Sequence, residues 1–192
     1  MLEEEYNPRR KLPAHLRPAP EPEPEFAFTL RDATPADIPH MREIYNHYVA
    51  NSTVTFDEDA LTLAEMRKKY KTVADLKYPW LVAVSPRGVV LGYAFVTPYR
   101  AKAAYRFTVE NTIYLGPAST GKGLGAALMK ELLARAKEAG VKEVVAVIAD
   151  RGADASIALH RRFGFKEIGH MGKVGFKFGR WLGTVLMQKS LK

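Results

Sequence analysis

The chain has 192 residues, 29 basic and 21 acidic side chains, a net charge of +8 and no cysteine. A hydrophobic share of 47% with 26% charged residues is ordinary globular composition, which excludes a fully disordered or fibrous chain. The lack of cysteine excludes disulfide scaffolds, cysteine-based zinc or iron–sulfur sites and a thiol nucleophile.

The first 25 residues hold six Glu, four basic residues and six of the twelve prolines. The run from Pro18 to Glu25 has no hydrophobic period and reads as a polyproline-like tail. That leaves one domain over 26–192, with 25 basic and 15 acidic groups, a net of +10. A basic body suits a polyanionic partner, either nucleic acid or a small ligand bearing phosphates. A basic helix stripe or an aromatic stacking motif for nucleic acid is not visible, so none is expected as partner. The apolar runs fall far short of the roughly 20 residues of a membrane span. With no signal-peptide pattern either, a cytoplasmic protein without membrane association is expected.

Residues 26–30 alternate and read as a strand. Thr34-Pro35-Ala36-Asp37 has the pattern of a helix start, and Ile38, Met41, Ile44, Tyr45 and Tyr48 follow at helical spacing. Thr62-Leu63-Ala64-Glu65 opens a second helix that ends before Tyr78-Pro79. Strands over 80–84 and 89–96 form a hairpin about Ser85-Pro86-Arg87-Gly88. A longer strand over 106–115 turns Phe107, Val109, Ile113 and Leu115 one way and Thr108, Glu110, Thr112 and Tyr114 the other. A glycine-rich stretch then leads into a helix carrying Leu124, Leu128, Leu132 and Ala136, ended by Gly140. The apolar run 144–149 reads as a buried strand. A short helix over 154–162 and two strands near 165–171 and 181–189, flanking a glycine-rich loop, complete the chain. Hairpins mixed with one crossover helix imply a mixed α/β (α+β) layer rather than a doubly wound sheet.

The strongest local signal is Ser119-Thr120-Gly121-Lys122-Gly123-Leu124-Gly125 between a strand and a helix. Glycines let backbone approach a ligand, and a helix N-terminus offers free N–H groups, so the stretch predicts a phosphate or pyrophosphate site. Gly116 to Lys122 fits the first part of a nucleotide-triphosphatase loop, but Gly123 stands where Ser or Thr should hold magnesium. The glycine spacing is also wrong for a dinucleotide fold. The third reading is the pyrophosphate of coenzyme A. The segment 120–125 resembles the [Q/R]-x-x-G-x-[G/A] motif of the GNAT acetyltransferase superfamily, with Thr120 in place of Gln or Arg.

The flanks sharpen the resemblance. Tyr105 to Tyr114 is similar to the Y-x-x-T-V-E-x-x-V-Y strand of phosphinothricin and methionine sulfoximine (sulfone) N-acetyltransferases. Ile44-Tyr45-Asn46-His47-Tyr48, Ser52 to Phe56, Val144 to Ile148, Ser156 to His160, Gly164-Phe165 and Gly175 to Trp181 resemble that family in order and spacing, over about 28–190. The resemblance implies a central mixed, mostly antiparallel sheet with two splayed parallel strands flanked by helices. It implies acetyl-CoA as co-substrate, a small amine as acceptor and no metal. Dimers are common among such relatives, so a homodimer is a further expectation.

The same resemblance implies site residues. Glu110 matches the family's general base, and His160 a second proton-transfer group; histidine titrates near neutral pH and suits either direction. Thr120, Gly121, Lys122, Gly123, Leu124, Gly125 and Ser156 fall at coenzyme-binding positions. Backbone N–H groups over 114–116, including Tyr114 and Leu115, are the expected oxyanion donors. Phe56, Arg100, Lys102 and Tyr105 match substrate-binding positions, the two cations facing anionic parts of the acceptor. Asp154 and Gly183 stand where relatives usually have Asn and Asp. Acetylation of another amine and non-catalytic acyl-CoA binding are the alternatives.

Overall fold

The computed structural model describes residues 26–192, and the tail expected over 1–25 lies outside them. Its elements are β1 (Thr29–Asp32), α1 (Ile38–Asn51), α2 (Leu63–Asp75), β2 (Trp80–Val84), β3 (Val90–Pro98), β4 (Thr108–Leu115), α3 (Leu124–Glu138), β5 (Glu143–Ala149), α4 (Asp154–Arg162), β6 (Lys166–Lys177) and β7 (Arg180–Ser190). The order matches the sequence reading. One seven-stranded sheet runs β1-β2-β3-β4-β5-β7-β6. All its pairs are antiparallel except β4 with β5. That exception follows from the chain: α3 is the crossover that returns β5 beside β4 in the same direction.

The two faces bury separate cores. One packs Leu124, Leu128, Met129 and Leu132 of α3 against Val109, Val144, Ala146 and Met187. The other packs Ile38, Met41 and Tyr45 of α1 and Met66 and Val73 of α2 against Trp80, Val82, Tyr93 and Phe95. In α2, Thr62 and Glu65 form the expected reciprocal cap, with Glu65 N–H to Thr62 Oγ1 at 3.2 Å and Thr62 N–H to the Glu65 carboxylate at 2.8 Å. The Thr34 start is instead a 3₁₀ turn over Pro35–Asp37 that leads into α1. Both Asp37 oxygens accept from Arg31 at 2.7 Å, and the Arg31 guanidinium holds this carboxyl down at about 2.

Three boundaries differ from expectation. Phe26 and Phe28 precede β1 and meet as a tilted pair. β4 begins at Thr108, so Phe107 is 48% exposed and not on a buried face; its carbonyl accepts the Lys142 and Glu143 N–H groups. The glycine-rich segment after residue 171 is strand, not loop. β6 runs through it with irregular register between Met171 and Gly175. Phe178 and Gly179, both at positive φ, then make a two-residue hairpin turn between Lys177 and Arg180.

Candidate active site

The parallel pair is joined only at its start. Thr108, Val109 and Glu110 face Glu143, Val144 and Val145. Beyond them β4 keeps only β3, and β5 keeps only β7. The sheet therefore splits at Glu110, and Val147 of β5, expected to be buried, is 37% exposed.

Backbone direction in an antiparallel pair alternates residue by residue. Tyr99 N–H donates to Thr108 O, and Gly116 N–H to Leu91 O. Even-numbered residues of β4 thus spend their backbone groups on β3. Those of Asn111, Ile113 and Leu115 point into the split. This corrects the expected oxyanion donors: Tyr114 and Gly116 are turned away, and Leu115 is the one of the three whose N–H faces the gap.

The glycine stretch lies at the same end of β4. Gly121 and Gly123 adopt φ values of 72° and 79°, where an L side chain is strained, and nothing among the described residues approaches within 4 Å of the space a Cβ would fill. Gly123 ends the loop without a side-chain cap for α3. The first N–H groups of α3 and its positive dipole end are thereby left for an anion. Thr120 is exposed, its hydroxyl donating to Pro117 O at 3.2 Å, and Lys122 lies over the Phe26 ring at 4.7 Å. Leu124 is fully buried, and Gly125 packs near Leu115 and Leu159. These residues fit a diphosphate held by backbone rather than by side chains.

Glu110 is half-buried on the face of β4 covered by α1 and α2, opposite Thr97. Burial raises its pKa, and the positive charges of Arg100 and Lys69 oppose that rise. His160 lies on the other face, tied to the adjacent residue. Its Nδ1 is 2.7 Å from the Ser156 carbonyl and so must carry the proton, which leaves Nε2 to accept from Asn111 Nδ2 at 2.9 Å. The ring is 4% exposed, meets Phe165 edge-on, and burial lowers its pKa. The Ser156 hydroxyl is 3.5 Å from Nδ1. Asn111 Oδ1 is buried with no partner among the described residues.

Phe56 projects from a tightly tied segment. Lys177, 1% exposed, donates to the carbonyls of Ser52 and Thr55 at 2.9 Å each. Tyr45 Oη lies 3.1 Å from Thr55 Oγ1 and donates to the Asp57 carboxylate. The Phe56 ring fills the space a Cβ would take at Gly175, only 2.5 Å away, which explains a glycine within β6. Tyr114 completes the wall, with ring centroids of Tyr45 at 5.2 Å and Tyr48 at 5.4 Å, and burial pushes its hydroxyl up to about 12. Arg100 sits over Tyr99 at 4.7 Å, and Tyr99 meets Tyr105 edge-on. Lys102 is exposed on the same loop. A surface cavity of about 390 Å³ between the ends of β1, α2 and α3 is lined by none of these residues.

Sequence reasoning missed Tyr45, Asp57, Lys69, Asn111 and Lys177 as parts of the site. Asn111 had a signal: it is a polar residue in phase with Val109 and Ile113. Gly183 also finds its reason. Its N–H donates to Asp150 Oδ1 at 2.9 Å, and a Cβ there would come within 2.5 Å of Asp150 Oδ2 and the Met171 carbonyl. Asp150 occupies the space that a side chain at 183 would need.

A sheet split between parallel strands, a glycine-rich helix start at its mouth and a half-buried carboxylate at its apex define an acyl-coenzyme A-dependent transferase. The Acetyltransferase (GNAT) family pattern matches residues 41–165, and the chain belongs to that family. It is 41% identical over 165 residues to a phosphinothricin N-acetyltransferase of Alcaligenes faecalis, covering 86% of this chain and 83% of the other. It is 43% identical over 166 residues to an L-methionine sulfoximine/L-methionine sulfone acetyltransferase of Pseudomonas aeruginosa, covering 86% and 96%. A GNAT superfamily phosphinothricin acetyltransferase from Sinorhizobium meliloti, solved in complex with AcCoA, superposes with a TM-score of 0.82 at 45% identity, covering 85% of this chain and 88% of that one.

Proposed function

We propose that this protein transfers the acetyl group of acetyl-CoA to the amino group of a small amino acid analogue, of which phosphinothricin and methionine sulfoximine or sulfone are the first to test. The observation that carries the reading is Glu110 at the apex of the split, half-buried and flanked by Arg100 and Lys69. Acetyl-CoA supplies an acetyl group activated as a thioester. The backbone of 121–125 suits its diphosphate, and the edge formed by Asn111, Ile113 and the Leu115 N–H suits an extended amide chain, the Leu115 carbonyl being held by Tyr48 Oη at 2.7 Å. Leu115 N–H points to where negative charge develops on a carbonyl oxygen. Glu110 takes the proton of the acceptor ammonium and frees its lone pair, the amine nitrogen bonds to the thioester carbon, and the C–S bond breaks to release coenzyme A as a thiolate that takes up a proton. Phe56 packs on the acceptor's carbon chain, and Arg100, Lys102 and Tyr105 lie at the rim. His160 takes up a proton only when the Asn111 amide turns to present Oδ1, which makes the pair a second proton-holding group. Mass spectrometry should find the N-acetylated acceptor after incubation with acetyl-CoA. No product from any of the three compounds, with acetyl-CoA still binding, would overturn the acceptor assignment.

We further propose that the protein is a cytoplasmic homodimer. β6 is an edge strand, and its hairpin with β7 exposes Val174, Phe176, Phe178 and Trp181, each more than half accessible. Such a contiguous apolar face suits a second copy. Light scattering should give twice the chain mass of 21.5 kDa, and Trp181→Asp should halve it. A wild-type monomer would contradict this assembly.

A further inference from the structure

Lys69 stands where a cation is not expected. It follows Met66 by three residues and precedes Val73 by four, so it shares the face of α2 that both bury against the sheet. Its ammonium lies 5.5 Å from the centre of the Tyr45 ring and 5.2 Å from that of Phe95. Among the described residues no carboxylate lies within 4.0 Å of it. A charge withdrawn from water needs a counter-ion or a hydrogen-bond acceptor. The negative charges that act on it are Asp57, bound by Tyr45, and Glu110, the proposed base.

Strand register fixes which way this cation faces. Phe95 is opposite Thr112 and Thr97 is opposite Glu110, so Phe95, Thr97 and Glu110 share one face of the sheet. The Lys69 ammonium, above Phe95, therefore stands on the acceptor side of Glu110. Lys69 and Thr97 also meet at the surface, where they line a shallow cavity of about 270 Å³ with Glu65, Lys68, Thr72 and Val73. Arg100, exposed on the loop after β3 and seated over Tyr99, is the second cation whose positive charge acts on Glu110.

We infer that Lys69 is a specificity-determining residue that binds the α-carboxylate of the acceptor, so that the adjacent α-amine meets Glu110. The inference rests on the acetyl-transfer reading above. In an α-amino acid the amine and carboxylate share one carbon, so a base and a cation on one face can engage both. The half-buried cation takes the carboxylate common to every α-amino acid. Arg100, at the rim, is left for the group that distinguishes one side chain from another.

The test compares methionine sulfone with its α-carboxamide, which keeps the amine and side chain but lacks the charge. Wild-type enzyme should prefer the acid by about 10- to 100-fold in kcat/KM, the effect of one charge-assisted hydrogen bond. Lys69→Gln should bring that ratio close to one, and Lys69→Arg should restore much of it. Because the ratio is read on a single enzyme preparation, partial loss of folded protein cancels. Lys69→Met offers a second removal compatible with the Tyr45 and Phe95 rings should the Gln variant fold poorly. An unchanged ratio in the Gln or Met variant would overturn the role of Lys69 while leaving acetyl transfer intact. If wild-type enzyme does not acetylate methionine sulfone, the comparison is made with phosphinothricin or methionine sulfoximine and its α-carboxamide; failure with all three acids would overturn the functional reading, and this inference with it.

Discussion

Glu110→Gln should lower kcat with a competent acceptor by about 10²- to 10⁴-fold, the usual contribution of a positioned proton acceptor. The amide keeps the shape of the side chain but cannot take the ammonium proton. Acetyl-CoA affinity, read by calorimetry, should be unchanged, because the proposed coenzyme contacts come from 111–115 and 121–125. The pH profile is a second readout. Glu110 acts as base only when ionised, and burial raises its pKa. Activity should therefore fall on acidification at a pH above the ordinary glutamate range. Stability runs the other way. A carboxyl whose pKa is raised by folding destabilises the fold above that pKa and ceases to do so below its unfolded value. The Gln variant should then be at least as stable as wild type at neutral pH. A variant that retains full turnover would remove Glu110 from the chemistry.

Lys177→Met should be the most damaging change to the acceptor wall that leaves the coenzyme site alone. It removes two hydrogen bonds from a buried ammonium to the carbonyls of Ser52 and Thr55. Hydrogen bonds to a charged donor contribute about 1.5–3 kcal/mol each, so a loss of about 3 kcal/mol is a conservative expectation. For a domain of this size that is a fall of about 6–12 °C in Tm. Release of the segment that carries Phe56 should also reduce kcat/KM for the acceptor by tenfold or more, on the order of what misplacement by about an ångström costs. Acetyl-CoA binding should persist. Differential scanning calorimetry and steady-state kinetics at a temperature where the variant is folded separate the two effects. An unchanged Tm would mean that the 52–57 segment is held by Tyr45 and Asp57 instead.

Local signals carried most of the fold. The Thr62–Glu65 cap, the Pro-Gly turn at 86–88 and the apolar phases of α1 and α3 each agree with what forms. The last hairpin was misread because its glycines imply loop chemistry. In the fold Gly175 is small to admit Phe56 and Gly183 to admit Asp150, and both contacts join residues more than thirty positions apart. The geometry of the candidate site was legible where chemistry and local structure coincide: the glycines at 121–125 before a helix and Glu110 on its strand. It was not legible where long-range packing decides. Lys69 and Lys177 look like surface charges in sequence, yet α2 and the β6–β7 hairpin carry them inward. Backbone direction was equally hidden. That Leu115 and not Tyr114 points into the split depends on which residues pair with β3.

The most direct measurement is thiol release from acetyl-CoA, followed with a thiol reagent, with and without phosphinothricin and methionine sulfone. The chain has no cysteine, so the protein adds no background signal. Release that depends on acceptor concentration is the expected result. A rate equal to that of the acceptor-free reaction for both compounds, with acetyl-CoA bound, would contradict the assignment of a small amino acid analogue as acceptor.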